Sequence, residues 1–302
     1  MIKSITVTNP KSESLVLDLF HPEKSGLIVT SISGLGPPKA TINNTDLATA
    51  DGALYSSARA STRNIVFNLR FMYAPTIEDA RQKTYKYFPL KKKIKIRVET
   101  DNRTLETEGY VESNQPDIFS KEESTQISIL CLDPFFYDPM PSLAQFATIT
   151  PAFEFPFSNE SLTEDLIEFG TINLDTRSTL EYEGDVDTGI LITIHALGEV
   201  SGKITIYNVE TLEQIVIDLS RVKTLIKRDF GDGDDIIIST ISGDKYVQIL
   251  HDGKYTNGIS AIEKNADWFQ ISVGRNIFNF TATSGVDNLA MTFSYRNAYG
   301  GI

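Results

Sequence analysis

The stretch RDFGDGDDIIIST (Arg228–Thr240) sets four aspartates, Asp229, Asp232, Asp234 and Asp235, directly ahead of three isoleucines, Ile236–Ile238. Read as a calcium loop, it points to a metal-dependent protein. Read as a turn into a buried strand, it points to a β-framework. An EF-type loop needs oxygen ligands at alternate positions, then a glycine and a distant glutamate. Counting from Asp232, the third position is Asp234, but the fifth is Ile236, which cannot ligate. Counting from Asp229, the third position is already Gly231. The spacing fails both ways, whereas Asp and Gly supply the positive φ angles and local hydrogen bonds that a tight turn requires. The turn reading is adopted: a solvated turn feeding a strand.

Around this strand the second half of the chain reads as β throughout. Apolar alternation with Gly, Asn and Asp turns predicts strands at 188–197, 202–209, 213–219, 235–240, 245–250, 267–272, 276–283 and 289–297. Short strands at near-regular spacing predict a β-sandwich. In the first half, strands are predicted at 64–73, 92–100, 105–113 and 124–132. One helix is predicted over 77–88, with Thr76 as cap, Asp79 three residues on and Pro89 as stop. Ile77, Ala80, Arg81, Thr84, Tyr85 and Phe88 are assigned to its sheet-facing side. In "KKIKIRVET" (92–100), Lys93, Lys95 and Arg97 form a basic face, read as solvated and as discouraging edge pairing.

The net charge of −12 falls entirely on one half: residues 1–140 hold 17 basic and 17 acidic residues, residues 141–302 hold 11 and 23. The shift coincides with the proline-punctuated "DPFFYDPMPSL" (133–143), so two domains are expected, 1–140 and 141–302. The acidic balance argues against tight nucleic-acid binding. Cys131 is the single cysteine, in a strand-like context that predicts an inert buried thiol. No signal-peptide or membrane-span pattern is visible, so synthesis in a reducing cytoplasm without secretion or membrane insertion is expected.

The remaining motifs carry no chemistry. "GLGPPKA" (34–40) resembles a phosphate loop, but Pro37 and Pro38 forbid the helix start that such a loop needs. Ser242 and Lys245 fit S-x-x-K, yet fall in a predicted hairpin rather than at a helix start. His21, His195 and His251 are isolated in sequence. Glu181, Glu183, Asp185 and Asp187 alternate as a glycosidase pair might, but Gly184 interrupts them. No catalytic residue, cofactor site or metal site is assigned, and the protein is not expected to be an enzyme. Trp268 is retained as a candidate saccharide contact: alternation in "ADWFQIS" sets it opposite Phe269 and Ile271 and away from the main core, with an aromatic face to offer a sugar ring.

Several segments together resemble the distal tail (Dit) proteins of long-tailed siphophages. In the first half they are "ISGLGPPKATIN", "DGALYSSARASTRNIVFNLRF" and the run from "TYKYFPLKKKIKIRVET" to "ISILCLDPFFYD". In the second half they are "EGDVDTGILITI", "GDDIIISTISGDKYV", "WFQISVGRNIF" and "YRNAYGGI". The resemblance implies a tail-tube-like N-terminal β-sandwich with one helix that closes a homohexameric ring. It also implies a galectin-like or carbohydrate-module-like (jelly-roll) C-terminal sandwich that projects outward. A virion protein is thereby implied, with the tail tube protein, the tail-tip or baseplate hub protein and a receptor-binding protein as partners. The alternative is a lectin-like adhesion module whose second domain binds host cell-wall saccharide.

Overall fold

A computed structural model describes residues 1–47, 51–73, 76–151 and 170–302. The chain divides into two compact units. One comprises Met1–Met140 together with Ala298–Ile302, the other Pro141–Asn297.

The first unit contains β1 (Ile2–Thr8), β2 (Ser14–Asp18), β3 (Leu27–Ser33), β4 (Ala40–Asp46), β5 (Ala53–Ala60), β6 (Arg63–Phe71), the helix α1 (Ile77–Tyr87), β7 (Lys93–Thr100), β8 (Thr104–Asp117), β9 (Ser124–Cys131) and β10 (Phe136–Tyr137), and is completed by the chain's last strand, β23 (Ala298–Tyr299). Nine strands form one sheet in the order β2-β1-β7-β8-β9-β6-β3, with β10 paired to both β8 and β23. Its terminal strands, β2 and β3, are joined by the short connection 19–26, so the sheet wraps around a single core. That core takes Ile5, Phe67, Ile96, Ile127 and Phe136 from the strands and Phe88 from the helix end.

Thr76 caps α1 by accepting from the Asp79 amide at 3.1 Å. Ala80, Thr84 and Phe88 are buried, whereas Tyr85 is exposed and Tyr87 packs on the core in its place. The reason is angular. At 100° per residue Tyr85 lies roughly 100° from the centre of the Ala80–Thr84–Phe88 line, and Tyr87 only about 60°. The basic row of β7 departs from expectation only in that its strand is not an edge. β7 is interior to the sheet, and its cations meet carboxylates of β8: Lys95 with Glu106 at 3.3 Å, Arg97 with Glu106, and Lys93 with Glu108. Lys93, Lys95 and Arg97 remain about half exposed, so the row is the solvated face expected, with its charges paired across the strands.

The second unit contains β11 (Ser142–Gln145), β12 (Ala147–Pro151), β13 (Gly170–Leu174), β14 (Arg177–Tyr182), β15 (Leu191–Ala196), β16 (Ser201–Asn208), β17 (Gln214–Asp218), the helix α2 (Leu219–Ile226), β18 (Asp235–Ser239), β19 (Tyr246–His251), β20 (Lys254–Asn257), β21 (Gly274–Ser284) and β22 (Leu289–Tyr295). Two sheets face each other, β11-β22-β15-β18-β19-β20 and β14-β21-β16-β17, while β12 and β13 pair with one another. Alternate residues of both sheets enter one core: Ile192, Ile194, Ile236, Ile238 and Phe293 from the first, and Ile204, Ile206, Ile215, Ile217 and Phe278 from the second. Phe278 and Phe293 meet edge-on across the layers at 5.0 Å. The protein is mainly β, and this unit is a β-sandwich.

Three further features differ from the sequence reading. Residues 267–272 keep the expected burial of Phe269 and Ile271 but form no strand. Their backbone is held by Gln214 on one side and by the Asn276 side chain, which bonds the Ser272 amide and carbonyl, on the other. The helix α2 was not anticipated. Asp218 caps it by accepting from the Ser220 amide at 3.0 Å, a cap signal masked by the strand alternation immediately before it. Finally, Ala298–Ile302 belongs to the first unit although the sequence boundary placed it in the second. Tyr299 pairs with Phe136 and Ala298 with Tyr137, a return across some 160 residues that no local signal reveals.

Candidate functional site

The aspartate stretch forms a turn, and its members point in separate directions. Gly233 adopts φ +80°, and the Asp234 carboxylate folds back to accept from the Gly231 amide at 3.1 Å. Asp234 is only 1% exposed, so the turn is not uniformly solvated as its composition suggested. One oxygen of Asp234 lies 2.7 Å from both Arg228 Nη2 and His251 Nδ1, while His251 Nε2 is 3.1 Å from Asp252. Asp235 turns to His195, its cross-strand neighbour, at 2.6 Å, and Asp229 pairs with Lys223 at 2.9 Å. Among the described residues no three His, Cys, Asp or Glu side chains converge as a metal set. The histidines are therefore not isolated: His21 faces Glu23, and the other two meet carboxylates through strand register, which linear spacing does not express.

Glu181, Glu183, Asp185 and Asp187 all lie exposed at and beyond the end of β14. Ser242 and Lys245 occupy the β18–β19 turn, where Gly243 has φ +83°. Cys131 is buried, and that burial pushes its thiol up to about 11, leaving it a neutral packing group at physiological pH.

Trp268 is half-buried against the sandwich core, closer to it than alternation alone implied. It lines an open cleft of about 530 Å³ with Asp187, Thr211, Glu213, Lys245, Gln270 and Ser272. Lys245 Nζ sits 5.7 Å from the ring centroid, a cation–π distance. The cleft thus combines one aromatic surface, one cation, two carboxylates and neutral hydrogen-bonding groups.

A second surface lies in the first unit. β4 and β5 pair from Ala40↔Ala60 to Asp46↔Ala53, and every residue of both strands is exposed, including Ile42, Leu54 and Tyr55. A two-stranded ribbon with solvent on both faces is marginal by itself. Large apolar groups left exposed on a ribbon whose residues are all exposed make it a candidate interaction surface. This arm was missed in the sequence because its strands are rich in Asn, Ser, Thr and Ala. The one available signal was Asp51-Gly52, a favoured hairpin-turn pair, between them.

Comparison with solved structures covers both units at once. The crystal structure of the SPP1 Dit (gp 19.1) protein, described as a paradigm of the hub adsorption apparatus in phages infecting Gram-positive hosts, matches 97% of this chain and 99% of its own with a TM-score of 0.64 at 11% identity. The chain has the fold of the SPP1 Dit protein. A chain of the phage P2 baseplate, in its activated conformation with calcium, is similar in fold over 98% of each chain, with a TM-score of 0.50 and 11% identity. No protein-family model and no curated protein matches the chain in sequence. Identity this low coexists with full-length fold agreement because the framework depends on apolar alternation and turn chemistry, which many sequences satisfy.

Proposed function

We propose that the protein is a non-enzymatic structural component of a phage tail, a distal tail hub whose copies close a ring through the first unit. In this reading the ring joins the tail tube protein to the tail-tip or baseplate hub protein. The second unit carries a receptor-binding partner. The observation that carries the reading is the end-to-end fold agreement with the SPP1 hub protein, which takes in both units and leaves almost no residue of either chain unmatched. The charge distribution supports the division of labour. A first unit of balanced charge lets copies approach, whereas the acidic second unit is suited to being held apart from its neighbours in water. The exposed arm supplies what a head-to-tail ring needs, a surface that is complete only when a neighbour covers it. Six-fold symmetry follows from the family resemblance. Electron microscopy of the purified protein tests the reading: rings with a central bore are expected, and monodisperse monomers at concentrations well above micromolar would refute it.

The Trp268 cleft favours a second reading, saccharide contact by the second unit, because it joins an aromatic surface to hydrogen-bonding groups suited to sugar hydroxyls. Trp268 is the single tryptophan, so its fluorescence reports this cleft alone. Titration with host cell-wall fragments is expected to change the emission saturably if the cleft is a sugar site. An unchanged spectrum would leave only the protein-binding role.

A further inference from the structure

Arg63 is buried, and its hydrogen bonds all go to backbone carbonyls: Nε to Pro134 at 2.6 Å, Nη1 to Gly34 at 2.6 Å and Gly36 at 2.5 Å, and Nη2 to Gly300 at 2.5 Å. Its guanidinium also lies 4.4 Å from the Phe136 ring centroid. A buried guanidinium is tolerated only where its donors are filled, and here one acceptor arrives from the far end of the chain. The same segment is held at further points. Arg103 donates to the Gly301 carbonyl at 3.1 Å and stacks on Tyr299 at 4.6 Å, and the Ile302 amide donates to the Leu35 carbonyl at 3.1 Å. Gly301 presses so closely on the loop that a Cβ there would stand 3.0 Å from the Pro37 nitrogen.

The loop so gripped is the root of the arm. Residues 34–39 lead into β4, and Ser61–Arg63 lead out of β5, with the Ser61 amide bonded to the Lys39 carbonyl at 2.8 Å. Gly34, at φ +85°, lies against β6 so tightly that a Cβ would meet the Asn64 carbonyl oxygen at 2.0 Å. Arg63 thus binds the incoming root, begins the strand that leaves the arm, and takes its fourth acceptor from the returning segment.

We propose that Ala298–Ile302 is a latch on the arm, seated on Leu35, Arg63 and Arg103, so that the arm is held in its docking direction only after the chain has closed back from the second unit. This rests on the reading of the arm as an assembly surface. It adds an order of events: a chain whose second unit has not folded and returned presents a loosely rooted arm and is excluded from assembly.

The test uses the full chain and two variants. Gly301→Val is expected to evict the latch, raising amide exchange at Ile302 and at Ser61, the donors to the Leu35 and Lys39 carbonyls, by at least about tenfold and moving the light-scattering assembly midpoint to higher concentration by a similar factor. Leu54→Asp with Tyr55→Asp alters the arm while leaving the latch untouched, and tests the arm reading separately. If Gly301→Val frees 298–302 yet leaves exchange at the arm root unchanged, the latch is overturned. If the arm variant loses assembly and an evicted latch does not change it, the latch fails while the arm reading stands. If neither variant alters assembly, the arm reading fails and so does the assembly role of the latch. Should Gly301→Val not fold, exchange in the unaltered chain decides: the Ile302 and Ser61 amides opening together support the latch, and free exchange at Ile302 beside a protected Ser61 overturns it.

Discussion

Replacing Asp234 by asparagine removes one negative charge from the turn that opens β18 while keeping its shape. The carboxylate accepts from Arg228 and His251 at 2.7 Å and from the Gly231 amide at 3.1 Å, and it is almost fully buried. A hydrogen bond to a charged group contributes roughly 1.5–3 kcal/mol. The Arg228 side chain is 46% exposed, however, and water offsets part of the loss when its partner becomes a neutral amide oxygen, so that loss is discounted to about 1 kcal/mol. His251 is more buried and loses about 1–2 kcal/mol. An asparagine amide turned toward Gly231 sets donor against donor and costs about 1 kcal/mol more. The expected destabilisation is roughly 3–4 kcal/mol, confined to the second unit. Urea unfolding followed by Trp268 fluorescence measures it, since the single tryptophan lies in that unit. Asp232→Asn, at an exposed position of the same turn, is the control and should shift stability by less than about 0.5 kcal/mol. Equal effects at the two positions, or a loss below about 1 kcal/mol at Asp234, would refute the assignment of a buried, satisfied carboxylate.

Four further outcomes are expected. Burial pushes the Glu106 carboxyl up, but the Arg97 hydrogen bond and the charges of Lys95 and Arg97 outweigh it and hold the group below its ordinary range. Its stabilising contribution is therefore present above the unfolded-state value of about 4.3 and is lost as pH falls through the lower folded-state value, so Glu106→Gln should flatten the acid limb of first-unit stability in pH-dependent melts. Melting in millimolar calcium should match melting in EDTA apart from general salt effects; a large calcium-dependent rise abolished by Asp232→Ala would overturn the turn reading. Trp268→Ala, at a half-buried ring, should cost about 1–2 kcal/mol in urea unfolding followed by circular dichroism, below the 3–5 kcal/mol of a fully buried one. Residues 141–297 alone should scatter light as a monomer, whereas 1–140 joined to 298–302 should self-associate above micromolar concentration; the reverse result would remove the first unit as the ring surface.

What the sequence made legible was whatever repeats at short range. Period-two alternation located β15, β16, β18, β21 and β22, because a half-buried strand writes its register directly into its residues. The cap at Thr76 located α1 for the same reason, as a signal complete within four residues. The failures share a cause of the opposite kind. His195 with Asp235, His251 with Asp234, and Arg63 with Gly300 are joined by register or by chain return, and no window of local sequence contains both partners. The arm escaped because alternation signals burial, and a ribbon with no buried face has nothing to alternate. Yet that absence is informative. A hairpin well paired in its backbone but without a core of its own can persist only if a neighbour covers it or its root is firmly fixed. The first unit provides such a root through Arg63, whose buried charge is satisfied by carbonyls from four separate residues, one of them beyond the second unit. The residue least readable from the sequence therefore joins the root of the exposed arm to the segment that returns after the second unit.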